Sequence, residues 1–327
     1  MLLEITHTNR FRYSEPVSGS HLEFRLTPLT DGSQHLLQHR RRVEPVQPLG
    51  EYVDYLGNQV ATFCVPHSHS SLEVVFESLV ETFPTTYRGQ PQPDAVNPSP
   101  ADRLALYDFQ HPTPLTDPGP EFLDWVRAYE FLRGAAPRET ARELRHAIHT
   151  SFRFEGDVTR ADSAITDLLR LGAGVCQDFT HLLLTACRYF GHAARYVSGY
   201  VATDPDQAHM VASHAWVEVY DPEHGWFGVD PTHNEWVDDR HVRLGVGRDF
   251  REVAPNRGVF RGTAEEVLDV VVLLRPLTSE ELDERMRSRT TQPWTQRVRN
   301  APRRRPLGQS ILEQTLLWQQ QQQQQQQ

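Results

Sequence analysis

Three residues of the 327-residue chain carry side chains able to perform nucleophilic catalysis together: Cys176, His214 and Asp230. A thiolate attacks carbonyl carbon, and an imidazole moves the protons this requires. A carboxylate fixes the tautomer of the imidazole and steadies its charged form. Cys176 lies in Leu171-Gly-Ala-Gly-Val-Cys-Gln-Asp-Phe-Thr-His181. Gly172 and Gly174 precede it, and Phe179, Leu183, Ala186, Cys187 and Phe190 follow at helical spacing. The pattern predicts a buried helix with Cys176 in its first turn, entered through a glycine-permitted bend. There the helix dipole and the free backbone N–H groups favour the thiolate. The same N–H groups can hold an oxyanion. Asp178 works against the thiolate, because a carboxylate beside it adds like charge; its side chain is expected to point elsewhere.

The base is expected on a hairpin. Ser213-His-Ala-Trp-Val-Glu-Val-Tyr220 alternates with period two, with Ala215, Val217 and Val219 on one face and His214, Trp216, Glu218 and Tyr220 on the other. The turn signal Asp221-Pro-Glu-His-Gly225 follows, then a second short strand, Trp226-Phe-Gly-Val-Asp230, stopped by Pro231. If Tyr220 pairs with Trp226, Trp216 lies opposite Asp230, and Asp230 is diagonal to His214 on the same face. Diagonal neighbours sit about 7–8 Å apart at Cα, within reach of an imidazole and a carboxylate. A slip of one residue would put Asp230 on the wrong face.

Taken singly, each of these residues has a plainer role. A free cysteine is commonly buried and inert, which is the reading for Cys64 and Cys187. With 16 histidines in the chain, one beside a strand means little. The combination in chain order is what discriminates. Cys176, His181, Cys187 and His192 invite a metal site, but there is no close Cys-x-x-Cys pair and no His-Glu-x-x-His. His67 and His69 sit in a turn-like segment and read as exposed. No EF-hand loop and no phosphate-binding loop appears. No metal and no cofactor is expected.

Residues 1–82 read as a small all-β region, with strands at Leu2–Thr8, Leu22–Leu26, Gln59–Cys64 and Leu72–Glu81 between turn signals. Residues 83–120 hold nine prolines, from Pro84 to Pro120. They read as an irregular connection over the surface, with at most a short helix near Arg103–Tyr107. Residues 121–150 look helical, with Phe122, Trp125 and Val126 in one stripe and Leu144, Ala147 and Ile148 in another. A catalytic core is placed at 121–277. From 278 to 327 the chain carries eight arginines between Arg285 and Arg305 and ends in glutamines 319–327. That tail is expected to be disordered, and a chain ending near residue 277 is expected to fold without it.

A formal charge of −10 argues against a nucleic-acid partner. An acidic residue interrupts the N-terminal Met1-Leu-Leu-Glu-Ile5, and the longest apolar run, Val270–Leu274, is too short to span a bilayer. Three cysteines do not make a disulfide scaffold. A cytoplasmic chain with free thiols and no membrane contact is expected. The oligomeric state is left open.

The arrangement resembles the transglutaminase-like superfamily, whose members carry Cys, His and Asp in this order on a papain-like α+β core. The matching segments are Gly174-Val-Cys-Gln-Asp178, Ala194-Arg-Tyr-Val-Ser-Gly-Tyr200, Ser213-His-Ala-Trp-Val-Glu218, Gly225-Trp226 and Asp230-Pro-Thr232. Tyr13 to Val17, Gly57-Asn58, Gly247-Arg-Asp-Phe250 and Val253-Ala-Pro255 are similar to the bacterial branch with an added N-terminal β region. The resemblance implies a Cys-bearing helix packed on an antiparallel sheet. It also implies an acyl-enzyme mechanism, with Cys176 as nucleophile, His214 as acid and base, and Asp230 orienting it. Gln177, Tyr200 and Trp216 stand as supporting or substrate-binding residues; core packing is an equal role for the last two. The expected substrate is a peptide or protein carboxamide. Amine or water as acceptor stays open, and a catalytically inactive binding module ranks last because the triad is complete. The chain contains no lysine. Codon bias explains this, and it also means that the chain cannot cross-link itself through a side-chain amine.

Overall fold

The computed structural model describes residues 1–84, 106–203 and 209–290. Along the chain come β1 (Leu2–Phe24), β2 (Gln34–Glu44), β3 (Gly50–Val53), β4 (Gln59–Val65) and β5 (His69–Thr82). Helices α1 (Pro120–Val126) and α2 (Pro137–Ser151) follow, then β6 (Arg153–Phe154), α3 (Ile165–Leu171), β7 (Ala173–Gly174), α4 (Cys176–Tyr189) and β8 (Ala194–Val201). Next are β9 (His209–Val211), β10 (His214–Asp221), β11 (Gly225–Asp230), β12 (Glu235–Trp236) and β13 (His241–Gly247). Helix α5 (Phe250–Val253), β14 (Asn256–Arg261), β15 (Glu266–Pro276) and α6 (Ser279–Thr290) complete the described chain. The class is α+β, with an all-β region first, as the sequence indicates.

The chain divides into two units. Unit one takes residues 1–82, 202–212 and 254 onward; unit two takes 83–201 and 213–253. In unit one, β1 runs through both segments that read as separate strands. It bends where Gly19 adopts a left-handed φ of +61° and the pairing registers shift. Its first half lies between β5 and β15, and its second half between β4 and β14. Leu3, Ile5, Phe11 and Tyr13 alternate inward, and Phe24 sits at the centre of Phe11, Phe63 and Phe76. The Gly57-Asn58 turn closes on Asp54, whose carboxylate accepts from the Leu56 and Asn58 backbone N–H groups at 3.0 and 2.9 Å.

Three sequence expectations change here. Strands β14 and β15 were expected in the catalytic core, yet they pair with β1, in registers such as Leu3↔Pro276. Residues 106–120 stay largely at the surface, but Phe109, Leu115 and Thr116 are buried and anchor them, which the sequence did not indicate. Their placement follows from Arg188, a guanidinium buried without a carboxylate on it. It donates to the carbonyls of Phe109, Ala194 and Arg248 and to Thr116 Oγ1. A buried cation needs such acceptors, so the connection is drawn in to supply two of them. Finally, residues 279–290 form α6, where a disordered tail was expected; residues 291–327 and the short helix expected from Arg103 lie largely outside the described residues.

Unit two is built on an antiparallel sheet in the order β12-β11-β10-β8-β13. Ala215, Val217 and Val219 of β10 pack with Phe179, Leu183, Ala186 and Cys187 of α4 in one apolar cluster, which α2 joins through Leu144 and Ile148. The opposite face of β10 is also buried. Glu218 is held there by Arg195 and Arg243 at 2.6 and 2.9 Å. Among the described residues no helix is long and apolar enough to cross a membrane.

Candidate active site

The thiol is set by what happens just before α4. Helix α3 ends at Gly172, whose φ of +65° is left-handed. Ala173 and Gly174 then pair in parallel with Arg153 and Phe154. Val175 is extended, and Cys176 is the first helical residue. The Asp178 carboxylate folds back over this entry, accepting from the Val175 N–H at 2.8 Å and the Thr159 hydroxyl at 2.6 Å. It therefore caps the helix and is spent on groups other than the thiol. Burial pushes its carboxyl upward against those hydrogen bonds. Gly174 leaves room for it, since a Cβ there would lie 2.7 Å from Asp178 Oδ2. The N–H groups of Cys176 and Gln177 stand where a helix offers no internal acceptor.

His214 and Asp230 arrive on the hairpin in the expected register. Tyr220 pairs with Trp226, and the ladder continues to Val217↔Val229, which brings Asp230 diagonal to His214. His214 Nε2 donates to Asp230 Oδ2 at 2.7 Å. The Cys176 thiol also lies close enough to raise the imidazole, and with Nε2 on Asp230 the ring nitrogen left for it is Nδ1.

Asp230 is fully buried, and five hydrogen-bond donors surround it. Oδ1 accepts from the N–H groups of Thr232 and His233 at 2.8 and 3.2 Å. Oδ2 takes His214, His233 Nδ1 at 2.8 Å and His241 Nε2 at 3.5 Å. Burial alone would raise this carboxyl, but the three imidazoles outweigh it and hold the group far below the ordinary carboxylate range. Burial alone would lower His214; the hydrogen bond it donates to Asp230 and the neighbouring Cys176 reverse this and push it up to about 9.

A stability consequence follows by linkage. A histidine raised in the folded state contributes stability that is complete below its unfolded value of about 6.5 and is lost as pH rises through about 9. The melting difference between wild type and His214→Gln is thus expected to be largest below pH 6.5 and to shrink toward pH 9. The difference cancels the buried neutral histidines His7, His39 and His181, which burial depresses to about 4, 3 and 3. A melting difference that grew with pH would contradict the assignment.

The other expected site residues are placed as follows. Gln177 turns away from the thiol, its Nε2 donating to Ala161 O at 2.9 Å, so it anchors the loop before α3. Tyr200 and Trp216 are both buried. Trp216 packs on Gly199, where a Cβ would meet its Cη2 at 2.4 Å, and edge-on to His241 at 5.2 Å. It supports the imidazoles, and its Nε1 has no hydrogen-bond partner. Cys187 lies in the apolar cluster, its thiol pushed up to about 12 by burial, and Cys64 is exposed. His192 bonds Thr140, and His181 Nε2 accepts from Phe250 N–H, so the sequence's candidate metal quartet is not assembled. Donor atoms of His214, Asp230 and His233, and of Asp230, Glu235 and His241, do lie within 4.8 Å of one another. Hydrogen bonds onto Asp230 account for the histidines of both groups, and Glu235 is paired with Arg240 at 2.7 Å.

Sequence reasoning missed His233 and His241. His233 had a signal: an Asp followed by Pro-Thr-His favours a turn in which the carboxylate binds the N–H groups ahead. His241 had none, because it reaches Asp230 from β13, whose sheet neighbour is β8.

Comparison with known proteins gives a consistent result. Residues 3–81 match the family model of the bacterial transglutaminase-like N-terminal region, and 128–231 match that of the transglutaminase-like superfamily. An uncharacterized protein of Mycobacterium tuberculosis (strain ATCC 25618 / H37Rv) is 33% identical over 296 residues, covering 85% of this chain and 94% of that one. A protein-glutamine gamma-glutamyltransferase of Pseudomonas aeruginosa is 35% identical over 81 residues, 23% of this chain and 12% of that one. The crystal structure of a candidate cysteine protease from Cytophaga hutchinsonii matches the fold with a TM-score of 0.65 at 19% identity, covering 85% of this chain and 91% of that one.

Proposed function

The chain belongs to the transglutaminase-like superfamily, and on that premise we propose that it is a thiol acyltransferase acting on peptide or protein carboxamides. The observation that carries the reading is the His214 imidazole, 2.7 Å from the buried Asp230 carboxylate and close enough to the Cys176 thiol at the start of α4 to be raised by it. Cys176 Sγ attacks the carboxamide carbon, and the N–H of Cys176 donates to the oxyanion. The C–N bond breaks as His214 gives its proton to the departing nitrogen, leaving a thioester on Cys176 and free ammonia or amine. An incoming amine then loses a proton to His214 and attacks the thioester, and the thiolate leaves. Asp230 holds the imidazolium through both steps.

Amine is the acceptor in this reading, supported by the name of the Pseudomonas relative and by the lack of lysine, which keeps this chain from consuming its own acyl groups. Full-length protein incubated with a glutaminyl peptide and a fluorescent amine is expected to release ammonia and label the peptide. Ammonia release or chain cleavage without labelling would move the assignment to a hydrolase. No reaction dependent on Cys176 with either acceptor would overturn it.

A further inference from the structure

His233 shares the triad carboxylate, although the acyl-transfer scheme gives it no role. Its Nδ1 lies 2.8 Å from the same Asp230 Oδ2 that takes His214, and the two rings are 4.9 Å apart. Unlike Asp230, His233 is exposed. Its loop is held from both sides. Asp230 Oδ1 binds the N–H groups of Thr232 and His233, while α2 contributes His149 to Thr232 O at 3.0 Å and Arg145 to Asn234 Oδ1 at 3.0 Å. An exposed imidazole fixed this firmly on a buried oxygen competes with whatever else that oxygen binds.

We propose that His233 is a positioning residue for His214: by occupying part of Asp230 Oδ2 it limits the hold of that carboxylate on the His214 proton. The proposal rests on the reading of His214 as acid and base. Its chemical sense is that a proton shuttle must release its proton as readily as it takes it up. A carboxylate given wholly to His214 would fix the proton there. The charged and titratable groups around His233 are His214 on β10, Asp230 on β11, Glu235, Asp238 and His241 beyond it, and Arg145, His146 and His149 on α2. Hydrogen bonding to Asp230 is the largest influence on His233 and raises it.

The test follows the imidazole C–H resonance of His214 against pH in full-length protein with labelled histidine. In His233→Ala the His214 midpoint is expected to rise by about one pH unit. His233→Gln keeps an N–H on the oxygen, so its rise is smaller. The acyl-transfer rate of His233→Ala near neutrality is expected to fall about tenfold with KM little changed. A His214 midpoint unmoved or lowered in folded His233→Ala overturns the proposal. If that variant does not fold, an unmoved midpoint in His233→Gln overturns it equally. Cys176→Ala separates the two ideas: a His214 midpoint that did not drop on losing the thiol would remove the thiol–imidazole pair and leave the shared oxygen to be judged by the His233 variants.

Discussion

Cys176→Ala is expected to lose acyl transfer by about 10⁴-fold or more, the scale on which removing a covalent nucleophile acts. The thiol is only partly buried at a helix start, so the melting temperature should move little; a small change at such a site costs about 1 kcal/mol or less. Cys187→Ala reverses the pattern. Cys187 is enclosed by the apolar cluster of unit two, so its loss opens a small cavity costing about 1–2 kcal/mol while the rate stays near wild type. Iodoacetamide labelling with mass mapping supplies an independent check. Cys176 should be modified first, with Cys187 protected until the chain unfolds. Equal loss of rate in the two folded variants would remove Cys176 as nucleophile.

Asp230→Ala is expected to damage fold and rate together. It leaves three imidazoles facing a buried gap that now lacks their acceptor. Breaking a buried charge cluster by deleting one partner costs about 3–5 kcal/mol. Asp230→Asn keeps the volume and one oxygen for the Thr232 and His233 N–H groups. The acceptor for the imidazoles becomes an amide that cannot serve all three. The fold should survive better than in the alanine variant, with the rate still down by about 10⁴-fold, because His214 loses the group that orients it and stabilises its charge. Thermal melts and rates on both variants decide this. An asparagine variant with wild-type rate would show that Asp230 is structural only.

These outcomes bear on how much of the site was legible in the sequence. The hairpin was legible because period-two alternation and a short turn admit one register that buries Ala215, Val217 and Val219, and that register places Asp230 beside His214. The start of α4 was legible because Gly172 and Gly174 mark a bend and the apolar spacing marks the helix after it. Both signals are local. What local pattern could not carry was pairing at a distance. Val270 to Leu274 read only as an apolar run inside the expected catalytic core, and only tertiary structure sets it against β1. Arg188 likewise gave no hint that it would draw Thr116 and Phe109 inward, because the acceptors it needs are spread over more than 130 residues. Gln177 was expected to support the site or bind substrate, but adjacency to the thiol along a helix says little about direction. Residues i and i+1 do not face the same way, and its amide ends on Ala161.

The pairing of β1 with β15 has a consequence for synthesis. A ribosome delivers β1 first, and its partners β4 and β5 follow within about eighty residues, so one edge of the strand can be zipped early. The other edge must wait for residues 256–276. Meanwhile the hairpin holding His214 and Asp230, and β13 with His241, have already left the tunnel. Each nascent chain thus passes through an interval in which every triad residue exists while a long strand edge of unit one still lacks its neighbour. Such edges template pairing between chains, and contacts this far apart in sequence form slowly. The last strand made acts as the clasp, so a stop in translation after residue 230 and before residue 256 yields a chain that carries Cys176, His214 and Asp230 and an open seam.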